Sequence, residues 1–512
     1  MSRTKNALRN TAVGLFSKII TLGLSFASRT VFIYVLGTTL LGVNSLYTEI
    51  LSMLSFAELG FGNALRFAMY KPIADQDDSK ITQILAFYKK VYLYIVTVII
   101  AIGLALIPFL PRIVKGADML TVGQLKGYYI LFLFNTSVSY FLAHKLSYVS
   151  ARQESYVYTK YELATNIITN LLQILVVVVW KNFLLYLLIR SACLLLSKVM
   201  ISKLLDRRYP VLTKKPEEPL PVAEKKGIFK EVKGLAVHQF SSVAVHSTDN
   251  IIISSLSGLG VTAVGLISNY NMLMNSVLSF VEIALGSVAA GFGDIVAHKD
   301  LEGYHRAFLD MAFIDFWIYG FCSICFYILV PPFISLWIGA DKLIDSISFF
   351  LIILNLFLQG QCTAFNYARI AVGNFGKDSG WALVQALVNL VVSALGAHYL
   401  GLVGVYVGTI CSRMVYVIFR PYSTYEIMFQ KSSVEYYCLL LKYGTVTFLV
   451  GLCMKLLSAA IMRELTWLSF VQCTVVLVLG INLIFFLLFF RSREWAALCN
   501  RIARLIGKRK RG

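Results

Sequence analysis

Residues 250–281 and 379–412 run for 32 and 34 residues without an Asp, Glu, Lys or Arg. A helix in water needs a polar face, and strands are far shorter than this. A bilayer core is crossed by roughly 20 apolar residues in a helix, which satisfies its own backbone hydrogen bonds. Each run is therefore too long for one ordinary crossing. Each also contains a divider: Gly258 and Gly260 in the first, AHYLGLVG around His398 in the second. Only 14 % of the chain is charged, against about a quarter in a soluble domain. Together these features predict an all-α polytopic membrane protein.

Fourteen transmembrane helices are expected, near 12–37, 40–60, 91–111, 127–143, 158–180, 183–201, 229–257, 260–291, 307–330 and 344–368, then two within 379–412, then 443–462 and 465–490. Pro72 marks a turn after the second, and the segment through Lys90 reads as interfacial. Pro331 and Pro332 are expected to close the ninth. The stretch from Lys203 to Lys230 holds four prolines and many lysines and reads as a linker.

The chain also echoes itself. At an offset of 223, Leu36, Gly37, Thr39, Gly42 and Tyr47 meet Leu259, Gly260, Thr262, Gly265 and Tyr270. One residue further on, Ser55, Phe56, Glu58 and Gly62 meet Ser279, Phe280, Glu282 and Gly286. Two parallel six-helix repeats follow, because six crossings return the second repeat to the same orientation. The domains are then an N-terminal lobe (1–202), a basic linker (203–228), a C-terminal lobe (229–425), two added helices (426–492) and a basic amphipathic tail (493–512).

The net charge of +20 would suggest nucleic acid in a soluble chain. Here the cations lie between apolar runs and no nucleic-acid signature accompanies them, so no such partner is expected. They orient the chain instead. The amino end, the connections after even-numbered helices and the carboxyl end hold most of the Lys and Arg. Both termini are expected to be cytoplasmic, with the tail on the inner leaflet. The apolar stretch after the basic start lacks a convincing cleavage site and reads as a retained helix.

Ionisable groups inside a membrane are costly and mark functional sites by default. The N-terminal half offers Lys18, Arg29, Glu49, Glu58 and Arg190; the C-terminal half offers Asp249, Glu282, Asp310, Asp315, Arg413 and Lys455. Lys18 and Arg29 are eleven residues apart, so they share roughly one face and could bind a diphosphate. The competing assignment has Lys18 snorkelling and Arg29 pairing with Glu49 or Glu58. Arg190, Arg413 and Lys455 could extend a basic cavity or snorkel. Asp249 could pair with a cavity cation or carry a proton. Glu58 and Glu282 fit capping or interhelical pairing better than coupling. His238 and His246 lack a third ligand, and Cys322 and Cys325 lack soft partners, so no metal is expected. No Walker loop, HExxH or nucleophile elbow is present. No catalytic residue or cofactor is expected. Transport would draw on Na+, H+, the membrane potential or the substrate gradient.

The segments SRTVFIYVLGTTLLGVNSLYTEILSMLSFAELGFGNAL and STDNIIISSLSGLGVTAVGLISNY, with the basic start and fourteen spans, carry a family resemblance. The chain resembles the bacterial polysaccharide (O-antigen and capsule) flippases of the multidrug/oligosaccharidyl-lipid/polysaccharide (MOP) exporter superfamily. The resemblance covers nearly the whole chain. It implies a MATE-like fold in the bacterial cytoplasmic membrane, with two lobes around a cationic cavity. It also implies translocation of undecaprenyl-pyrophosphate-linked oligosaccharide to the outer leaflet by alternating access. Arg29 matches a basic position of many members, and Asp249 the aspartate of their T-D-N-like stretch. The last two helices resemble a pair that can form a lateral groove for the lipid tail. Membrane lipids, a polysaccharide polymerase and assembly proteins are implied partners. Flippases for lipid II or teichoic-acid precursors fit the same features. A cation-coupled multidrug exporter fits less well, since such exporters usually have twelve helices and acidic cavities. A membrane glycosyltransferase or polymerase would need a large extracytoplasmic loop, which the chain lacks. A scaffold or scramblase role stays open.

Overall fold

The computed structural model describes residues 3–58, 61–230, 232, 247–297, 301–372 and 379–499. His238, His246, most of the expected seventh helix and the end of the tail lie outside these residues. Among them, nine helices are long and apolar enough to cross a membrane. The chain forms two compact units, Met1–Gly265 and Leu266–Gly512.

The first unit holds α1 (Arg3–Leu54), α2 (Phe61–Ala74), α3 (Asp78–Leu106), α4 (Val122–Tyr140), α5 (Ala143–Ala151), α6 (Tyr156–Trp180), α7 (Phe183–Arg208), α8 (Asp249–Leu256) and the start of α9 (Gly260–Ala297). Inside α1 the backbone leaves helical geometry at Gly37, with φ 83° and ψ 173°. Only glycine adopts that pair of angles freely. The first two expected crossings divide there.

Local sequence explains the other ends. The Asp77 carboxylate accepts from the Lys80 backbone N–H at 2.8 Å and starts α3. Thr121 and Gln124 form a capping box on α4. Asn182 accepts from the Leu185 N–H at 3.1 Å and opens α7. The amide of Asn10 reaches across from α1, accepting from the Tyr156 N–H at 2.8 Å to cap α6.

Three expectations in this unit need correction. The third helix begins at Asp78, well before residue 91, so the charged segment through Lys90 is its first turns rather than a separate interfacial stretch. Pro72 also stands inside α2 rather than at a turn. The segment from Lys203 to Lys230 packs against this unit. Val211 and Leu220 are buried. Lys80 pairs with Glu224 at 2.5 Å and Lys214 with Asp78 at 2.9 Å.

The second unit holds the rest of α9, then α10 (Leu301–Ile338), α11 (Ser346–Gln361), α12 (Thr363–Val372), α13 (Ser379–Met414), a π-helical turn (Val415–Phe419), α14 (Arg420–Phe429), α15 (Val434–Ile461) and α16 (Trp467–Phe489). Gly401 (φ 59°, ψ −130°) breaks α13 inside AHYLGLVG, where the divider was expected.

Pro331 and Pro332 do not close α10, which continues to Ile338. Ile334, Trp337 and Ile338 are buried beyond them. Packing outweighs the lost backbone hydrogen bonds, which membrane helices tolerate. The tenth expected crossing is broken at Cys362. There the Asp315 carboxylate on α10 accepts from the Ala364 N–H at 2.6 Å and caps α12. The core of this unit joins α10 to α15 and α16 through Phe313, Phe316, Tyr443, Phe485 and Phe489. The Phe316 and Tyr443 rings stack at 4.4 Å.

Candidate functional site

The first unit contains a polar slot of about 630 Å³, walled by α1, α4, α6 and α7. The wall from α6 is a single polar face. Glu162, Thr165, Asn166, Thr169, Asn170 and Gln173 follow the helical period and all line the slot. From α7 come Tyr186, Arg190 and Lys198; from α4 come Phe132, Asn135 and Ser139.

Aromatic packing fixes one end. Phe32 meets Phe183 and Tyr186 edge-on at 5.7 and 5.2 Å, and Tyr128 meets Phe183 at 4.9 Å. Gln173 donates to the Tyr186 carbonyl at 3.3 Å, tying α6 to α7. The other end is closed by the Lys198–Glu162 ion pair at 3.2 Å.

Arg190 lies with its guanidinium 5.5 Å from the Phe132 ring centroid. Such a cation–π contact is worth about 0.5–2 kcal/mol and holds the fork in place. The Tyr186 hydroxyl lies in the field of both Arg190 and Arg29. Arg29 is half-buried on α1 beside Tyr186. The structure therefore brings together Arg29 and Arg190, two of the five cations proposed from sequence. Tyr186, on which both act, Asn135 and the ladder on α6 were not singled out for this role. The i, i+3, i+4 spacing of Thr, Asn and Gln after Glu162 was the available signal.

The other candidates fall elsewhere. Lys18 is half-buried three turns before Arg29. Glu49 accepts a hydrogen bond from Ser247. Glu58 accepts from the Tyr92 hydroxyl at 3.3 Å, and Tyr140 is a second partner. Asp249 opens α8.

In the second unit Arg413 is buried, donating to Asn355 at 2.9 Å and to Gln359 at 3.3 Å. Glu282 is exposed on α9. Lys455 is exposed and donates to the Tyr327 hydroxyl at 2.9 Å. It stands at the rim of an apolar groove of about 750 Å³ between α10, α11 and α15, lined by residues such as Ile324, Phe357, Leu440 and Phe448. Among the described residues, no three His, Cys, Asp or Glu side chains converge as a metal site would require.

No protein-family model matches the sequence, and no curated protein matches it. Solved structures do share the fold. The lipid II flippase MurJ, in an inward closed conformation, matches with a TM-score of 0.65 and 14 % identity, over 94 % of this chain and 99 % of that one. An inward-facing multidrug resistance MATE family transporter of the MOP superfamily matches with a TM-score of 0.60 and 16 % identity, over 82 % and 95 %. A MOP superfamily transporter from Pyrococcus furiosus, described as having a binding pocket of reversed polarity, matches with a TM-score of 0.54 and 15 % identity, over 81 % and 93 %. The chain has the polytopic all-α fold of MOP superfamily transporters.

Proposed function

We propose that this chain is a flippase for a saccharide carried on undecaprenyl pyrophosphate. It moves this substrate from the inner to the outer leaflet of the bacterial cytoplasmic membrane by alternating access, with both termini in the cytoplasm. The observation that carries the reading is Arg190 in the lining of the polar slot, with Arg29 and Arg190 both acting on Tyr186 there. A pyrophosphate and its sugars lose several kcal/mol of hydration per polar group in hydrocarbon. Fixed guanidinium forks and a hydroxyl-rich wall replace that hydration, and a bidentate arginine suits phosphate oxygens. The apolar groove on α10, α11 and α15 offers the polyprenyl tail a surface of its own. The lobes 1–202 and 229–425 are the proposed moving bodies, driven by Na+, H+ or the membrane potential.

Two head groups compete. The sequence resemblance suggests an O-antigen or capsule repeat unit, with a polymerase as partner. The fold likeness to a lipid II flippase, which extends over 94 % of this chain, favours a peptidoglycan precursor. Export of organic cations is the weaker reading, because Arg190 and Lys198 outnumber Glu162 in the slot lining and would repel them. Complementation separates the heads. Rescue of a strain depleted of its lipid II flippase supports the precursor, and rescue of one lacking its O-antigen flippase supports the repeat unit. Rescue of neither, with the protein present in the membrane, contradicts the flippase reading.

A further inference from the structure

The first unit carries a second cavity, an apolar groove of about 560 Å³ along α3. It shares no lining residue with the polar slot. Lys90, Val91, Tyr94, Ile95 and Val98 form its floor. These positions follow the helical period and share one face of α3. From Lys90 to Val98 that face runs for about 12 Å, at roughly 1.5 Å per residue. Phe61, at the start of α2, and Phe229 supply the walls.

Phe229 belongs to the helical residues 222–230, at the end of the linker. Its ring meets Phe61 edge-on at 5.9 Å and Phe87 at 6.1 Å. The Lys225 ammonium lies 5.9 Å from the Phe87 ring centroid. Phe87 precedes Lys90 by about one turn of α3, so Lys225 and Lys90 stand at the same end of the groove. Lys226 and Lys230 neighbour Phe229 on its own helix and are exposed. The one carboxylate of residues 222–230, Glu224, is engaged by Lys80 at 2.5 Å. Positive charge is therefore in surplus at this end.

The groove thus has a polarity. Its cationic end lies toward the start of α3 at Asp78, and its apolar floor continues into the uncharged run that begins at Val91. Tyr94 and Phe229 are 72 % and 50 % exposed. The complement is an amphiphile with an anionic head and a hydrocarbon chain. Lysine is a point charge on a flexible stem and suits the single charge of a phosphodiester. Basic clusters where a helix leaves the membrane attract anionic lipid. A floor of about 12 Å takes much of one acyl chain, whereas a polyprenyl chain is several times longer.

We propose that this groove is a site for an anionic phospholipid: one acyl chain lies along α3 from Val91 to Val98, and the phosphodiester sits between Lys90 and Lys225. The bound lipid bridges α3 and residues 222–230 and holds the end of the linker in place. That it comes from the inner leaflet follows from the proposed topology. The site itself rests on the geometry and charge of the groove and requires nothing of the transport reading.

The test uses the full chain in detergent, titrated with phosphatidylglycerol or phosphatidylcholine of the same acyl chains. Native mass spectrometry measures the lipid retained, and thermal unfolding measures the stabilisation it brings. Wild type should bind phosphatidylglycerol about tenfold more tightly than phosphatidylcholine, with a higher unfolding midpoint. Lys90→Gln with Lys225→Gln should abolish that preference. Lys71→Gln with Lys203→Gln removes the same charge from exposed positions outside the groove and should keep it. Val98→Trp fills the deep end, should weaken both lipids, and serves if the first lysine pair fails to fold. Equal wild-type affinity for the two lipids would overturn the site. Equal loss in both lysine pairs would do the same, since it would mean diffuse attraction only. Wild-type binding by Val98→Trp would remove the acyl chain from the groove and overturn the proposal. Displacement of phosphatidylglycerol by equimolar undecaprenyl phosphate would give the groove to a polyprenyl tail, and dimers that exclude lipid would give it to a second copy of this chain; either would overturn the phospholipid site.

Discussion

The hydroxyls of Thr39 and Thr262 meet at 3.1 Å, and these residues are the ones that correspond at the offset of 223. The contact is reciprocal. A Cβ on Gly42 would strike the Val261 carbonyl, and a Cβ on Gly265 would strike the Thr38 carbonyl. Thr38 and Val261 are separated by the same offset. What the segment at 38–42 does to the segment at 261–265 is therefore returned, as across a two-fold axis. The backbones cross so closely that both glycines are required by space.

Gly42→Ala and Gly265→Ala should consequently behave alike. Each forces the two backbones apart, and overpacking of this kind costs about 1–3 kcal/mol. Thermal unfolding in detergent should show a lowered midpoint for both, while Gly14→Ala, where nothing lies within 4 Å, should unfold like wild type. Wild-type melting of both contact variants would mean that the crossing is not formed in the membrane.

Arg29→Ala should abolish or sharply reduce transport without removing the protein from the membrane. Arg29→Lys should restore only part of it, because an ammonium keeps the charge but loses the planar fork. Quantitative export at matched expression is the readout. Full activity of Arg29→Ala would separate Arg29 from the substrate path.

Asp315 is wholly buried and its carboxylate holds the first turn of α12. Asp315→Ala leaves the Ala364 N–H unpaired, at a cost of about 1–3 kcal/mol. Asp315→Asn keeps an acceptor oxygen and should melt near wild type. Equal destabilisation by the two substitutions would show that the acceptor is not what matters at this break.

Lys215 is exposed on the docked linker. In a cysteine-free background, Lys215→Cys should react with a membrane-impermeant thiol reagent in inside-out vesicles and stay unlabelled in intact cells. The reverse pattern would invert the proposed topology.

The dividers at Gly37 and Gly401 were readable because glycine interrupts an apolar run at spanning length, a purely local signal. The continuation of α10 through Pro331 and Pro332 was not readable, since it depends on what Ile334 and Trp337 pack against. The early start of α3 was hidden by its charges. Lys80 looked interfacial until its partner Glu224, 144 residues away, came into view. Arg29 and Arg190 were each suspect as single charges in apolar helices. Their convergence on Tyr186 required the packing of α1 against α7. Asn135 looked like any polar residue in a helix, and its burial without a partner among the described residues distinguishes it.

The most direct test of the central claim is transport in liposomes. Purified protein is reconstituted with a fluorescent undecaprenyl-pyrophosphate oligosaccharide, and outer-leaflet probe is followed with and without Na+, H+ and potential gradients. Wild type should equilibrate or accumulate the probe across the bilayer, and the Arg29→Ala, Arg190→Gln double variant should match protein-free vesicles. Wild type no faster than empty vesicles under every gradient, or a double variant as fast as wild type, would contradict the account.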